Sequence, residues 1–212
     1  MKKQLLSMVL ASACAAVPAA HAADIGLYAG ISVGQANVKD LPSAAAFDAE
    51  LALLGITTSS SSVDDTDTAY KLFAGYKVNK YFAVEGSWAD LGEATYSAQI
   101  IAPMTGNANA SWEASAFALS ALGIIPLGNQ FELFGKVGYS LWDADLRVSA
   151  VGVEDNADED GSSVVYGLGA SYRFAENMAV RAEWERYDGI GEDDTTGESD
   201  IDMWSIGLQF NF

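Results

Sequence analysis

Hydrophobic and polar residues alternate along most of this chain, one and one. The stretch from Ile201 to Phe212 shows it most plainly. Trp204, Ile206, Leu208, Phe210 and Phe212 are large and apolar, while Met203, Ser205, Gly207, Gln209 and Asn211 between them are small, polar or flexible. Period two is strand spacing and gives a strand one greasy and one wet face.

Eight such strands can be laid out. The first, Ile25 to Val33, sets Leu27, Ile31 and Val33 against Tyr28, Gly30 and Ser32. The second, about Thr68 to Val78, sets Tyr70, Leu72 and Tyr76 against Lys71, Phe73 and Lys77. The third starts at Phe82 and sets Val84 and Trp88 against Glu85 and Ser87; the fourth, about Trp112 to Leu127, sends Phe117, Leu119 and Ile125 to its apolar face. The fifth places Glu132, Phe134 and Lys136 opposite Phe131, Leu133 and Val137. In the sixth, Val165, Gly167 and Arg173 oppose Val164, Leu168 and Phe174; in the seventh, Arg181, Glu183 and Glu185 oppose Val180, Ala182 and Trp184. The eighth runs to Phe212.

Connection lengths alternate too. Asn79-Lys80-Tyr81, Gly128-Asn129-Gln130 and Ala175-Glu176-Asn177 are short. Facing residues on paired strands must share a face, so Val78 should pair with Phe82, Leu127 with Phe131 and Phe174 with Met178, each across a three-residue turn. Between these turns lie long connections, roughly Gln35 to Asp67, Leu91 to Ser111, Ala150 to Ser162 and Gly189 to Ser199. Strands that are apolar outward, polar inward and aromatic near their ends, with short turns on one side and long loops on the other, predict a transmembrane barrel. The expected fold is all-β: an eight-stranded antiparallel up-and-down barrel, both termini on the short-turn side. A soluble barrel of similar strand count would bury its apolar face inward and has no use for the outward aromatic bands.

Composition then fixes the compartment. Lys2 and Lys3 precede an apolar run from Leu5 to Val17 and a small-x-small site at Ala20-His21-Ala22. This predicts a secretory signal peptide at 1–22, leaving a barrel domain at 23–212. Cys14 is not a lipidation site by motif, because Ala11 stands where leucine is expected. Cleavage removes Cys14 and His21, the one cysteine and one histidine of the chain, and with them any disulfide, thiol nucleophile or imidazole ligand. The net charge of −18 excludes nucleic acid as a partner, since a phosphate backbone needs a basic footprint.

Particular residues now carry a resemblance. Tyr70 to Gly92, with Gly75-Tyr76, Glu85 and Asp90-Leu91-Gly92, and Arg181-Ala182-Glu183-Trp184 followed by Tyr187-Asp188, resemble small outer-membrane barrels of the opacity-protein and outer-membrane-protein-A-like superfamily. The resemblance implies the outer membrane of a Gram-negative bacterium, lipid and lipopolysaccharide as surroundings, and insertion by the outer-membrane assembly machinery. Trp204, Phe210 and the final Phe212 resemble the C-terminal assembly signal of such barrels. Outer membrane protein A itself carries a further, peptidoglycan-binding domain; none is expected after Phe212.

Lys71, Glu85, Glu132, Lys136, Arg173, Arg181 and Glu183 fall on the lumen face. An eight-stranded barrel is only wide enough for side chains to fill. These charges are therefore expected to form a structural network of ion pairs; the alternative is a narrow, gated conduit in which they set selectivity. No enzyme is expected, because barrel hydrolases of the resembling kind rely on a histidine. No cofactor or resident metal is expected either. The acidic clusters Asp64-Asp65-x-Asp67, Glu154-Asp155 with Asp158-Glu159-Asp160, and Glu192-Asp193-Asp194 do not match the spaced calcium loop, and read as a solvated anionic surface, with divalent bridging to lipopolysaccharide phosphates as the other possibility. Within the first long connection, Ser43 predicts a cap for a short helix to Leu54, stopped by Gly55, with Phe47, Leu51 and Leu54 on its apolar face over the barrel mouth. The functional expectation is a structural or surface-interaction role through the acidic loops, with a small porin or conduit for ions or small hydrophobic molecules as the alternative.

Overall fold

The computed structural model describes residues 25–39, 41–53, 55–103, 105–150, 153–191 and 199–212. The expected signal segment at 1–22, Leu54 and the cluster Glu192-Asp193-Asp194 lie outside them. In chain order the elements are β1 (Gly26–Val38), α1 (Ala44–Leu53), β2 (Thr57–Asp64), β3 (Thr66–Asn79), β4 (Phe82–Ala102), β5 (Gly106–Leu127), β6 (Phe131–Ala150), β7 (Val153–Ala175), β8 (Met178–Ile190) and β9 (Ser199–Asn211).

Eight of these strands close a ring. β1 pairs with both β3 and β9, and the antiparallel ladder runs on through β8, β7, β6, β5 and β4 back to β3. β2 stands outside the ring. It pairs with the upper half of β4, from Thr57 opposite Ala102 to Asp64 opposite Thr95, directly above the stretch where β3 pairs with the lower half. β2 and β3 are thus one descending strand broken at Asp65, and the barrel is eight-stranded, antiparallel and up-and-down.

The alternation sets the faces. Ile31, Leu119, Leu141, Leu168 and Trp204 point outward and are exposed; Tyr28, Lys71, Glu85, Lys136, Arg181 and Gln209 point inward and are buried. This is the inside-out arrangement that lets strands cross a bilayer with every backbone group paired.

Two expectations need correction. Only Leu127 with Phe131 closes its turn in the expected register. The other two ladders slip at the last pair, to Asn79 opposite Phe82 and Ala175 opposite Met178. At the first, the Asn79 side chain accepts hydrogen bonds from the Tyr81 and Phe82 amides at 2.7 and 3.0 Å, and this local bonding tightens the turn. The second correction concerns the connections Leu91–Ser111 and Ala150–Ser162, which are mostly strand. β4 and β5 pair up to Ile100 opposite Gly106, and β6 and β7 up to Ala150 opposite Val153. These backbones satisfy each other instead of water. The inward face of β4 runs through odd positions to Leu91, shifts by one residue at the bulge around Gly92 and Glu93, and resumes at Ala94, Tyr96, Ala98 and Ile100.

The result is lopsided. β4 to β7 have 20 to 23 residues, whereas β1, β8 and β9 have 13. With β2 they form a curved wall rising on one side of the mouth. α1 packs against it. The Ala46 amide donates to Ser43 Oγ at 3.3 Å, and the far end closes with Gly55 at φ +78° while the Ile56 and Gly55 amides donate to Leu51 and Ala52. Of the expected apolar face, Phe47 packs on Tyr96 of the wall and Leu51 is half-buried, while Leu53, off that face, is 88% exposed.

Candidate functional site

The lumen is filled in layers. At the short-turn end, Lys77 Nζ donates to both carboxylate oxygens of Glu132, at 2.8 and 2.7 Å, and Arg173 Nη2 donates to the same group at 3.3 Å. These side chains are partly open to solvent.

Above them lies an aromatic layer of Tyr28, Phe73 and Phe134 with Leu122 and Ile124. The guanidinium of Arg181 passes between two of its rings, 4.6 Å from the Phe73 centroid and 4.2 Å from that of Phe134. Glycines make room: a Cβ at Gly30 would meet Phe73 Cζ at 2.3 Å, and one at Gly169 would meet Phe134 Cζ at 2.1 Å.

The charged layer follows. Arg181 binds Glu85 through two hydrogen bonds and reaches Glu183 at 2.9 Å. Lys71 joins Glu183 to Glu185; Lys136 binds Glu185, lies 3.0 Å from Glu183 and 3.9 Å from Glu85. Tyr28 donates its hydroxyl to Glu85 at 2.9 Å. Three cations meet three anions, all buried, so the charge balances inside a space that water barely enters. Of the residues expected to form one network, the structure therefore brings Lys71, Glu85, Lys136, Arg181 and Glu183 together, adds Glu185, and sets Glu132 and Arg173 apart with Lys77.

The upper lumen departs from the expectation of a polar interior. Ala89, Leu91, Ala114, Ala116, Trp142, Tyr187, Ile190, Ile201 and Met203 fill it as one apolar cluster. The hint was in β5, where Ala114, Ala116 and Ala118 alternate with apolar Phe117 and Leu119, leaving neither face polar. The Phe73 and Phe134 rings on Arg181 and the Tyr28 hydroxyl on Glu85 leave no mark in the sequence, since alternation gives the face of a residue but not its partner across the lumen.

Outside, Trp204 and Trp184 sit with ring centroids 6.3 Å apart, and Phe210 and Phe212 pack edge to face at 4.9 Å. All but Trp184 are more than a third exposed, as lipid-facing side chains are. On the wall, Asp143 faces Asp160, Asp145 faces Asp158 and Glu93 faces Glu113 across their ladders. A hydrogen bond with Asp145 holds the Asp158 carboxyl above its ordinary range, the neighbouring negative charge adding to the effect. Arg147 offsets part of this charge at 3.1 Å from Glu113, in an exposed pair. Among the described residues, no group of three or more acidic, histidine or cysteine side chains is arranged to hold a metal ion.

Known proteins of this shape are found by both sequence and structure. The chain matches the family model described as outer membrane protein beta-barrel domain over residues 6–212. Outer membrane protein A of Salmonella typhi is 25% identical over 215 residues, which cover 100% of this chain and 56% of that protein. The same protein from Yersinia pseudotuberculosis is 29% identical over 143 residues, 66% of this chain and 38% of that one. The chain thus spans about half the length, or less, of these curated relatives. Among solved structures, Neisserial surface protein A superposes with a TM-score of 0.57 at 15% identity, covering 88% of this chain and 97% of that one. OprG of Pseudomonas aeruginosa gives 0.53 at 16%, covering 91% and 99%. Ail of Yersinia pestis, solved with the heparin analogue sucrose octasulfate, gives 0.51 at 15%, covering 88% and 99%. At these identities the likeness is one of fold.

Proposed function

Because the chain belongs to the outer membrane protein beta-barrel domain family and resides in the cell outer membrane, we propose that its role is structural and interactive rather than conductive or enzymatic. The barrel is a sealed anchor, and the raised acidic wall is the part that meets partners at the surface. One observation carries this reading. The aromatic layer, the balanced ion layer and the apolar cluster are stacked along the lumen, so an ion crossing it would have to break buried pairs and then traverse an apolar section. The wall's like-charge ladders keep the surface anionic. Contact with lipopolysaccharide phosphates then needs divalent cations between the two. The chain is made with a signal peptide at 1–22 and is inserted by the assembly machinery, which reads Trp204, Phe210 and Phe212.

Planar-bilayer recording of the refolded protein tests the reading, with heat-dependent gel mobility confirming that the sample is folded. Folded protein that stays silent supports it. Discrete current steps altered by Lys136→Ala or Glu85→Ala would replace it with a small porin.

A further inference from the structure

A cavity of about 250 Å³ lies above the apolar cluster, between the inner face of the wall and α1. Its floor is built from two ladder rows, Ala94–Trp112–Leu146 and Tyr96–Ala110–Val148, running across β4, β5 and β6. Leu41 and Phe47 close it from the opposite side. The roof is fixed in place: the Phe47 and Tyr96 rings pack at 4.9 Å, and Asp48 accepts hydrogen bonds from the Tyr96 and Ser61 hydroxyls. Trp112, a lining residue, is 8% exposed, and its Nε1 donor has no partner among the described residues. The other orphan donors of the same apolar cluster, Trp142 Nε1 and Tyr187 OH, do not line this cavity. A buried N–H without an acceptor is costly, and native proteins rarely leave one.

We infer that this cavity is a binding site for a small neutral aromatic molecule that carries one hydrogen-bond acceptor for the Trp112 indole. Size sets the class: an apolar cavity of about 150 Å³ holds benzene, and drug-sized ligands need roughly 300 Å³ or more, so one or two rings fit here. Charge narrows it. Among the described residues no lysine or arginine lines the cavity, and the chain carries −18, so a carboxylate such as a fatty acid is repelled. The site lies above the ion layer and does not depend on whether the lumen conducts.

Acetophenone and ethylbenzene, nearly equal in shape and different in a carbonyl, are the probes. Protein with labelled methyl groups is placed in lipid nanodiscs, and the Leu41, Leu146 and Val148 methyl shifts are followed by NMR. Both probes should shift these methyls saturably. Trp112→Phe should weaken acetophenone by roughly 2- to 10-fold, the worth of one net hydrogen bond, and leave ethylbenzene unchanged. Ala110→Phe, checked for folding by gel mobility, should abolish both. Shifts that grow linearly with probe, as from lipid partition, or that survive Ala110→Phe, would overturn the site. An unchanged acetophenone affinity in Trp112→Phe would overturn the recognition. Currents are not read in this experiment, so a conducting barrel would refute the sealed-anchor reading alone.

Discussion

Arg181 holds Glu85 across the lumen, from β8 to β4, with Nη1 to Oε2 at 2.6 Å and Nη2 to Oε1 at 3.1 Å. Both side chains are at most 3% exposed. Removing either one strands a buried charge. Arg181→Ala or Glu85→Ala should therefore lower unfolding stability by about 3–5 kcal/mol. Glu176→Ala, on an exposed turn, should change it by under about 0.5 kcal/mol. The double change Arg181→Met with Glu85→Leu should recover much of the loss, because matched apolar groups leave no orphan charge. Urea unfolding in detergent gives all four values; equal midpoints for Arg181→Ala and Glu176→Ala would refute the buried network as a source of stability.

Gly169 is tested by steric argument. Its absent side chain leaves the space that the Phe134 ring occupies beside Arg181. Gly169→Ala should displace that ring and cost about 1–3 kcal/mol, the usual range for overpacking. Adding Phe134→Leu should relieve the clash, so the pair is less destabilised than the sum of its parts. An additive result in the unfolding cycle would show that the ring had room to move.

Much of this architecture was legible because lipid and lumen impose opposite demands on alternate residues. Trp204 and Gln209 declare their faces without help from the rest of the chain. The pairing of Arg181 with Glu85 was not legible, since three strands lie between β8 and β4 on either side of the ring and no local rule spans that gap. Nor was the height of the wall. Asp158 and Asp160 fall in a stretch expected to be a loop, yet they sit on a strand paired with Asp145 and Asp143, where the backbone ladder overrides like-charge repulsion. The apolar upper lumen was hidden by alanines, which suit either face.

Phe212 and Phe210 pack together at the end of β9 and face outward, away from every layer of the lumen. If they serve recognition rather than stability, Phe212→Ala should barely change unfolding of the purified, refolded barrel. In cells the same change should sharply reduce the heat-modifiable, membrane-inserted fraction. Comparing the two assays separates the roles: equal losses in both would make Phe212 a packing residue and remove the assembly signal.

Two carboxyls above the membrane should give the mouth opposite pH responses in two places. Asp48 is held below its ordinary range, chiefly by the Ser61 hydroxyl, with Thr58 and Tyr96 adding to it against some desolvation. Folded protein then binds fewer protons there than unfolded protein does. The contribution of Asp48 to anchoring α1 is complete above the ordinary carboxylate value and is lost as pH falls through the lowered one. Asp158 is raised by the hydrogen bond with Asp145, so the folded hairpin of β6 and β7 binds more protons than the unfolded chain. Its contribution is present below the ordinary value and is lost as pH rises through the raised one. Amide exchange in nanodiscs, corrected for intrinsic rates, should show protection at Phe47 falling on acidification while protection at Ala144 and Ala157 rises. Protection that moves in the same direction at both places would contradict one of the two assignments, and Asp48→Asn and Asp158→Asn would each abolish only its own response.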